Sequence, residues 1–74
     1  MKAKIKSMRI LYVATMKCTS GEWEAVEYFY DVDGYDGEVT RAAAERELAK
    51  RLGGSVDMFY NIISVSAETK TIEI

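Results

Sequence analysis

The 74-residue sequence contains no proline and no histidine, and its only cysteine is Cys18. One cysteine cannot form an intramolecular disulfide, and one thiol without histidine cannot supply the ligands of a structural zinc site. Without histidine, the Ser-His-Asp and Cys-His catalytic arrangements are excluded as well. We therefore expect a protein without enzyme activity or cofactor that folds in a reducing compartment such as the cytoplasm.

Long apolar runs and glycine-rich phosphate loops are also missing. No segment approaches the roughly 20 apolar residues of a membrane-spanning helix, and we expect no secretory signal. Neither of the common nucleotide-binding glycine patterns occurs, and a chain this short has little room for a deep pocket. We expect neither a membrane nor a small-molecule substrate among its partners.

The segment Asp31–Glu38 comes nearest to a metal-binding motif. The EF-hand pattern requires an oxygen ligand at position 5, glycine at position 6 and glutamate at position 12. Counted from Asp31, these positions hold Tyr35, Asp36 and Ala42, so the pattern fails at each of them. The two Asp-Gly pairs of this segment instead predict turns between a strand and a helix, and we expect no metal.

The chain length predicts a single domain. A domain of this size buries only about 60% of the surface of its unfolded chain, so its core contributes little net stability. With disulfides and metals excluded, association with a second copy or with another protein is the remaining means of stabilisation. We therefore consider a homodimer, and we expect that residues 1–7 can form a flexible basic arm.

Two segments have the composition of β-strands. Residues 8–19 carry apolar side chains at even positions, and residues 22–32 are rich in aromatic and β-branched side chains. A Ser-Gly pair at positions 20–21 can form a two-residue turn, because glycine accepts a positive φ. The turn predicts an antiparallel hairpin, with the cross-strand pairs Lys17 with Glu24 and Val13 with Tyr28.

Residues 40–52 predict a helix, because they are rich in alanine, leucine and long charged side chains. Thr40 or Asp36 can cap its start, and the Gly53-Gly54 pair ends it. The narrow apolar face of this helix predicts packing against a sheet. The residues of that face are Ala44, Leu48 and Leu52.

Residues 58–66 predict a third strand, since they combine aromatic and β-branched side chains. The alternating tail at 70–74 is either the end of that strand or a short fourth strand. The element order is therefore β-β-α-β or β-β-α-β-β. It predicts an α+β fold with a small, mostly antiparallel sheet of three to four strands and one helix packed on one face.

Charge is segregated along the chain, although the net charge is only −2. The basic residues of segment 1–21, which contains no acid, are Lys2, Lys4, Lys6, Arg9 and Lys17. The acids of segment 22–38, which contains no base, are Glu22, Glu24, Glu27, Asp31, Asp33, Asp36 and Glu38. The two strands either neutralise each other across the hairpin or present separate charged surfaces.

The chain resembles the small accessory proteins that phages encode, a group that includes anti-CRISPR and anti-restriction inhibitors. The resemblance lies in the size, the absence of histidine and proline, the strand-strand-helix-strand order and the acidic middle segment. It implies an inhibitor that acts in the cytoplasm of an infected host cell. It involves no specific motif and assigns no functional residues.

Our leading hypothesis is a noncatalytic inhibitor whose acidic surface imitates nucleic acid and occupies a basic cleft of a nucleic-acid-handling complex. Its candidate partner-binding residues are Glu22, Trp23, Glu24, Glu27, Tyr30, Asp33, Tyr35, Asp36 and Glu38, with the aromatic residues as anchors. The alternative is a nucleic-acid-binding or regulatory protein. Its candidate residues are Lys2, Lys4, Lys6, Arg9, Arg41 and Arg46. A structural homodimer is the third hypothesis.

Overall fold

The computed structural model describes residues 1–53 and 58–74. Within these residues the elements β1, β2, α1 and β3 have the bounds Lys2–Lys17, Trp23–Asp33, Arg41–Leu52 and Met58–Glu73. The strands form one sheet in the spatial order β2-β1-β3, and both outer strands run antiparallel to β1. The predicted α+β fold is confirmed, with three strands and one helix in the described part of the chain.

β1 is longer than predicted, because it begins at Lys2. Of residues 1–7, expected as a flexible arm, residues 2–7 pair with residues 68–73 of β3, so the structure places them in the sheet. The last pair between β1 and β2 joins Ser7 to Asp33. Residues 2–6 and 69–73 therefore extend beyond β2 as a two-stranded segment, which we call the ribbon.

β3 is one continuous strand of 16 residues, so the tail at 70–74 is its end rather than a fourth strand. Its pairing shifts by one residue between positions 11 and 12 of β1, where Ile63 is the extra residue of a β-bulge. Because of the bulge, Ile62 and Val65 lie opposite Tyr12 and Ile10. Both side chains therefore point toward the same side of the sheet, although they are three positions apart.

The predicted hairpin register is wrong by one residue. The observed pairs include Lys17 with Trp23, Met16 with Glu24, Val13 with Glu27 and Tyr12 with Tyr28. The connection spans residues 18–22 and is closed by the Cys18 N–H, which donates to the Glu22 carbonyl at 2.7 Å. This longer loop is favoured because it places the apolar even positions of both strands on one face, where they can be buried together.

α1 begins as predicted, and Thr40 is the cap that it uses. The Thr40 hydroxyl oxygen accepts a hydrogen bond from the Ala43 N–H at 3.1 Å. The helix ends before Gly53, whose φ of 69° lies in the left-handed region that glycine adopts without strain. Gly54, the second glycine of the predicted stop, lies outside the described residues.

The hydrophobic core lies between α1 and one face of the sheet. Its buried residues are Met8, Ile10, Tyr12, Ala14, Ala43, Ala44, Leu48 and Ile62. The even positions of β1 supply half of them, as strand alternation requires. Of the predicted helix face, Leu52 is only half-buried. No element in the described part of the chain packs on the opposite side of the sheet, which we call the open face.

Candidate protein-binding surface

The predicted acidic surface is divided within β2. Every residue from Trp23 to Phe29 is exposed, whereas residues 30–32 are half-buried. β2 is an edge strand, and α1 packs mainly on β3 and β1. The first half of β2 therefore has two accessible faces and a free edge. We call residues 22–29 the acid–aromatic strand.

Aromatic side chains of this strand contribute to the open face. Trp23 is 50% exposed and Phe29 is 65% exposed. The Trp23 ring lies 5.6 Å from the ring of Phe59, a β3 residue that is 63% exposed. The guanidinium of Arg9 lies 5.4 Å from the centre of the Phe29 ring. Such exposed, pre-positioned aromatic groups are typical anchors of protein interfaces.

On the helix side, the acid–aromatic strand makes more packing contacts with β1 than on the open face. Tyr28 stacks on the buried Tyr12, with the ring centres 5.8 Å apart. Val26, opposite Ala14, is nevertheless still exposed. This half of β2 is therefore held in place by contacts with β1 while most of its surface stays accessible.

The acids of this strand have no cationic partner among the residues that the structure describes. Glu22 lies in the hairpin loop, Glu24 lies opposite Met16 on the helix side, and Glu27 lies opposite Val13 on the open face. Their carboxylates therefore point to different sides of one strand end, and they do not form a single flat acidic patch.

Glu24 accepts a side-chain hydrogen bond from the hairpin loop. The Cys18 thiol donates to its Oε2 at 3.4 Å. This bond to Glu24, with partial desolvation of the thiol, raises the pKa of Cys18 above its ordinary value. The raised pKa keeps the thiol protonated and disfavours reactivity at this position.

The acids in the second half of β2 are neutralised within the fold. Asp31 Oδ1 lies 2.9 Å from Arg9 Nε, and Asp31 Oδ2 lies 2.7 Å from Lys70 Nζ. The same ammonium lies 2.9 Å from Asp33 Oδ1. The hydrogen bond from Arg9, assisted by Lys70, lowers the pKa of Asp31 to about 2. The network also raises the pKa of both cations.

The remaining predicted residues lie near the core or beyond β2. Tyr30 packs against the core, with the Arg51 guanidinium 5.5 Å from its ring centre. Tyr35 also packs against the core, whereas Asp36 and Glu38 are exposed in the connection to α1. This connection follows the far end of β2, about 33 Å along the strand from the hairpin loop. The predicted site is therefore not one continuous surface.

The basic residues of the alternative hypothesis are also divided. Lys2, Lys4 and Lys6 alternate along one face of the ribbon. Arg9 lies on the opposite face, in the network with Asp31. The helix residues are separate: Arg41 lies 3.6 Å from Glu45, and Arg46 is exposed.

Sequence reasoning missed two residues of the open face, Phe29 and Phe59. Phe29 is six positions from Trp23, and this even spacing was a usable signal that both lie on one face of a strand. The position of Phe59 depends on the pairing of β3 with β1, where it lies opposite Thr15. No local pattern encodes that long-range register.

Comparison with known proteins adds no assignment. No protein-family model matches the chain, and no curated protein or solved structure matches it. Within residues 1–53 and 58–74, no helix is long and apolar enough to cross a membrane. In the same residues no three acidic or thiol side chains are grouped as a metal site requires.

Proposed function

We propose that the protein is a noncatalytic protein-binding module that acts in the cytoplasm as a small inhibitor. The acid–aromatic strand would occupy a basic nucleic-acid-binding cleft of a larger enzyme and exclude its substrate. The observation that carries the proposal is the exposure of every residue from 23 to 29, where carboxylates without cationic partners among the described residues lie between aromatic side chains. The resemblance to small phage inhibitors agrees with this function.

Electrostatics would guide the first encounter. Glu22, Glu24 and Glu27 lie within six residues at one end of the molecule, and together they attract a basic surface. Because they point to different sides, a cleft that surrounds the strand satisfies them better than a flat surface does. Asp31 and Asp33 are excluded from this role, since their charges are balanced by Arg9 and Lys70.

Apolar contacts would supply most of the affinity. Trp23, Phe29 and Phe59 present exposed rings on the open face, beside the acids. Burial of one large aromatic side chain contributes about 1.5–3 kcal/mol, and their fixed positions limit the entropy that binding costs. A second copy of the chain fits this surface less well than a basic cleft does, because two acid–aromatic strands would bring like charges together.

Affinity capture from a lysate of the host cell, followed by elution with duplex DNA, tests this proposal. The wild-type chain is compared with a variant that combines Glu22→Lys, Glu24→Lys and Glu27→Lys. We expect the wild type to retain a nucleic-acid-binding enzyme that DNA elutes, and the variant to lose it. The matched control reverses an equal number of exposed acids elsewhere, at Asp36, Glu38 and Glu73, and should retain the enzyme.

Two results would contradict the proposal. One is equal retention by the wild type and the strand variant, and the other is a retained protein that DNA does not displace. Sedimentation of the purified chain detects a homodimer directly. A dimer that Trp23→Ala and Phe59→Ala dissociate would assign the open face to a second copy instead.

A further inference from the structure

The ribbon carries a cationic face that the proposed protein-binding surface does not use. Lys2, Lys4 and Lys6 alternate along β1, so their side chains share one side of the ribbon, about 6.7 Å apart along the strand. All three are exposed. The ribbon lies beyond the last pair between β1 and β2, so among the described residues only β3 flanks these lysines within the sheet.

The neighbours of the lysines on this face are polar. Thr69 and Thr71 lie opposite Lys6 and Lys4, and both threonines are exposed. Hydroxyl groups donate hydrogen bonds to phosphate oxygens, as lysine ammonium groups do. The face therefore combines two kinds of donor that recognise a phosphate backbone.

Two acids lie close to this cationic face. Glu73 is paired with Lys2 across the ribbon. Asp36 and Lys6 line the same surface groove, whose volume is about 260 Å³. Glu68 also lines this groove, but it lies opposite Ser7 and therefore belongs to the other side of the strand, where the Ser66 hydroxyl donates to its Oε1 at 3.1 Å. The carboxylates of Glu73 and Asp36 weaken the positive potential at both ends of the row, and Lys4 lies between them. The face remains cationic, since three lysines outnumber the two acids.

The acid–aromatic strand is too far away to cancel this charge. Lys6 and the β1 residue opposite Glu27 are seven positions apart, a distance of about 23 Å along the strand. Lys4 and the residue opposite Glu24 are twelve positions apart, which is about 40 Å. The Debye length is about 10 Å at 0.1 M salt. The two ends of the molecule therefore act as independent charged surfaces in spite of the net negative charge.

We propose that the lysine face of the ribbon binds the phosphate backbone of duplex nucleic acid without sequence specificity. A two-stranded ribbon is narrow enough to lie along a groove of the duplex. The face has no aromatic residue among positions 2, 4, 6, 69, 71 and 73, so it cannot stack on single-stranded bases. It also has no large apolar residue at these positions, which disfavours insertion into a lipid surface.

Fluorescence anisotropy of a labelled 20-bp DNA duplex, titrated with the full chain at several salt concentrations, tests this proposal. Three phosphate contacts predict a slope of about −2.7 for log K against log salt. The affinity should therefore fall about 40-fold between 50 and 200 mM salt. The variant Lys2→Gln, Lys4→Gln, Lys6→Gln should show a slope near zero and at least tenfold weaker binding at 50 mM salt.

A matched control distinguishes the effect of the ribbon lysines on DNA binding from the effect of a more negative net charge. The variant Lys17→Gln, Arg46→Gln, Lys50→Gln removes the same number of exposed cations from other parts of the molecule and should keep the wild-type slope. Asp36→Asn should strengthen binding, because it removes an acid beside Lys6. Circular dichroism of each variant verifies that the sheet is retained.

Three outcomes would overturn the proposal. The first is no duplex binding by the wild type at 50 mM salt, and the second is an equal loss of DNA affinity in the two triple variants. The third is stronger binding of the wild type to vesicles with 30% phosphatidylserine than to DNA. None of these outcomes depends on the acid–aromatic strand. The ribbon and the protein-binding surface can therefore fail or succeed separately.

Discussion

The two halves of β2 have similar composition and opposite surroundings. Residues 22–29 and 30–33 both combine acids with aromatic side chains. In the first half, Glu24 and Glu27 lie opposite the uncharged Met16 and Val13, and the acids stay without cationic partners among the described residues. The second half lies beside Arg9 and within reach of Lys70, and its acids are neutralised.

This comparison shows that charge segregation along a sequence does not imply charge segregation in space. Register decides which carboxylate meets a cation, and Arg9 lies directly opposite Asp31. The packing of α1 divides the strand in the same way, because Tyr30 and Val32 pack against the core that α1 covers, and the Arg51 guanidinium lies 5.5 Å from the centre of the Tyr30 ring. The second half of β2 therefore contributes to stability, and the first half is left available for binding.

The largest effect that separates the two halves is expected from alanine substitution of the neighbouring residues Tyr30 and Phe29. Tyr30→Ala removes packing against the core and should lower the free energy of unfolding by about 2 kcal/mol. Phe29→Ala removes a 65% exposed ring and should cost less than about 1 kcal/mol, mainly through the lost contact with Arg9. Urea denaturation measures both. Equal losses in the free energy of unfolding would show that β2 is not divided at Tyr30 into an accessible half and a packed half.

The next largest difference is expected between the acids of the two halves, in the stability that each loses on substitution by its amide. Asp31→Asn leaves Arg9 and Lys70 without their shared partner and should cost about 1–2 kcal/mol, less than a fully buried pair because both cations are partly exposed. Glu27→Gln, the matched change in the first half, should stay within about 0.5 kcal/mol. A larger cost for Glu27→Gln would mean that its carboxylate has a stabilising role.

The contribution of Asp31 should also depend on pH in a defined direction. Its folded-state pKa of about 2 is lower than the usual aspartate value, so the ionised form stabilises the fold. The difference in stability between wild type and Asp31→Asn should be complete above about pH 5, and it should shrink below that and be lost as the pH falls through the folded-state pKa near 2. Denaturation curves at pH 7, 4 and 2 measure this difference. A constant difference would contradict the ion pair.

The elements of this fold could be predicted because their signals are local. The Thr40 cap, the glycine at the helix end and the alternation along β1 each involve neighbouring residues, and each is confirmed. The hairpin register could not be predicted from its Ser-Gly pair, since the loop length depends on which register buries the apolar positions of both strands. A one-residue error there changes the partner of every acid in β2.

The candidate surface was harder to predict than the fold. Its exposed half contains the predicted residues Glu22, Trp23, Glu24 and Glu27, but the network around Asp31 joins three strands. Lys70 is distant from Asp31 in sequence and meets it only through the long pairing of β1 with β3. Local patterns therefore identify charged and aromatic residues, and tertiary pairing decides which of them remain accessible.

The smallest effect is expected where the acid–aromatic strand meets the hairpin loop. Glu24→Gln removes the carboxylate that accepts the Cys18 thiol bond, so the pKa of Cys18 should fall toward its ordinary value. Iodoacetamide should then modify Cys18 faster at pH 8, because the thiolate is the reacting form. Stability should change by less than about 0.5 kcal/mol. Glu22→Gln is the matched control and should leave the rate unchanged. Equal rates in all three proteins would show that Glu24 does not hold the thiol, and its carboxylate would then be as free for a partner as that of Glu27.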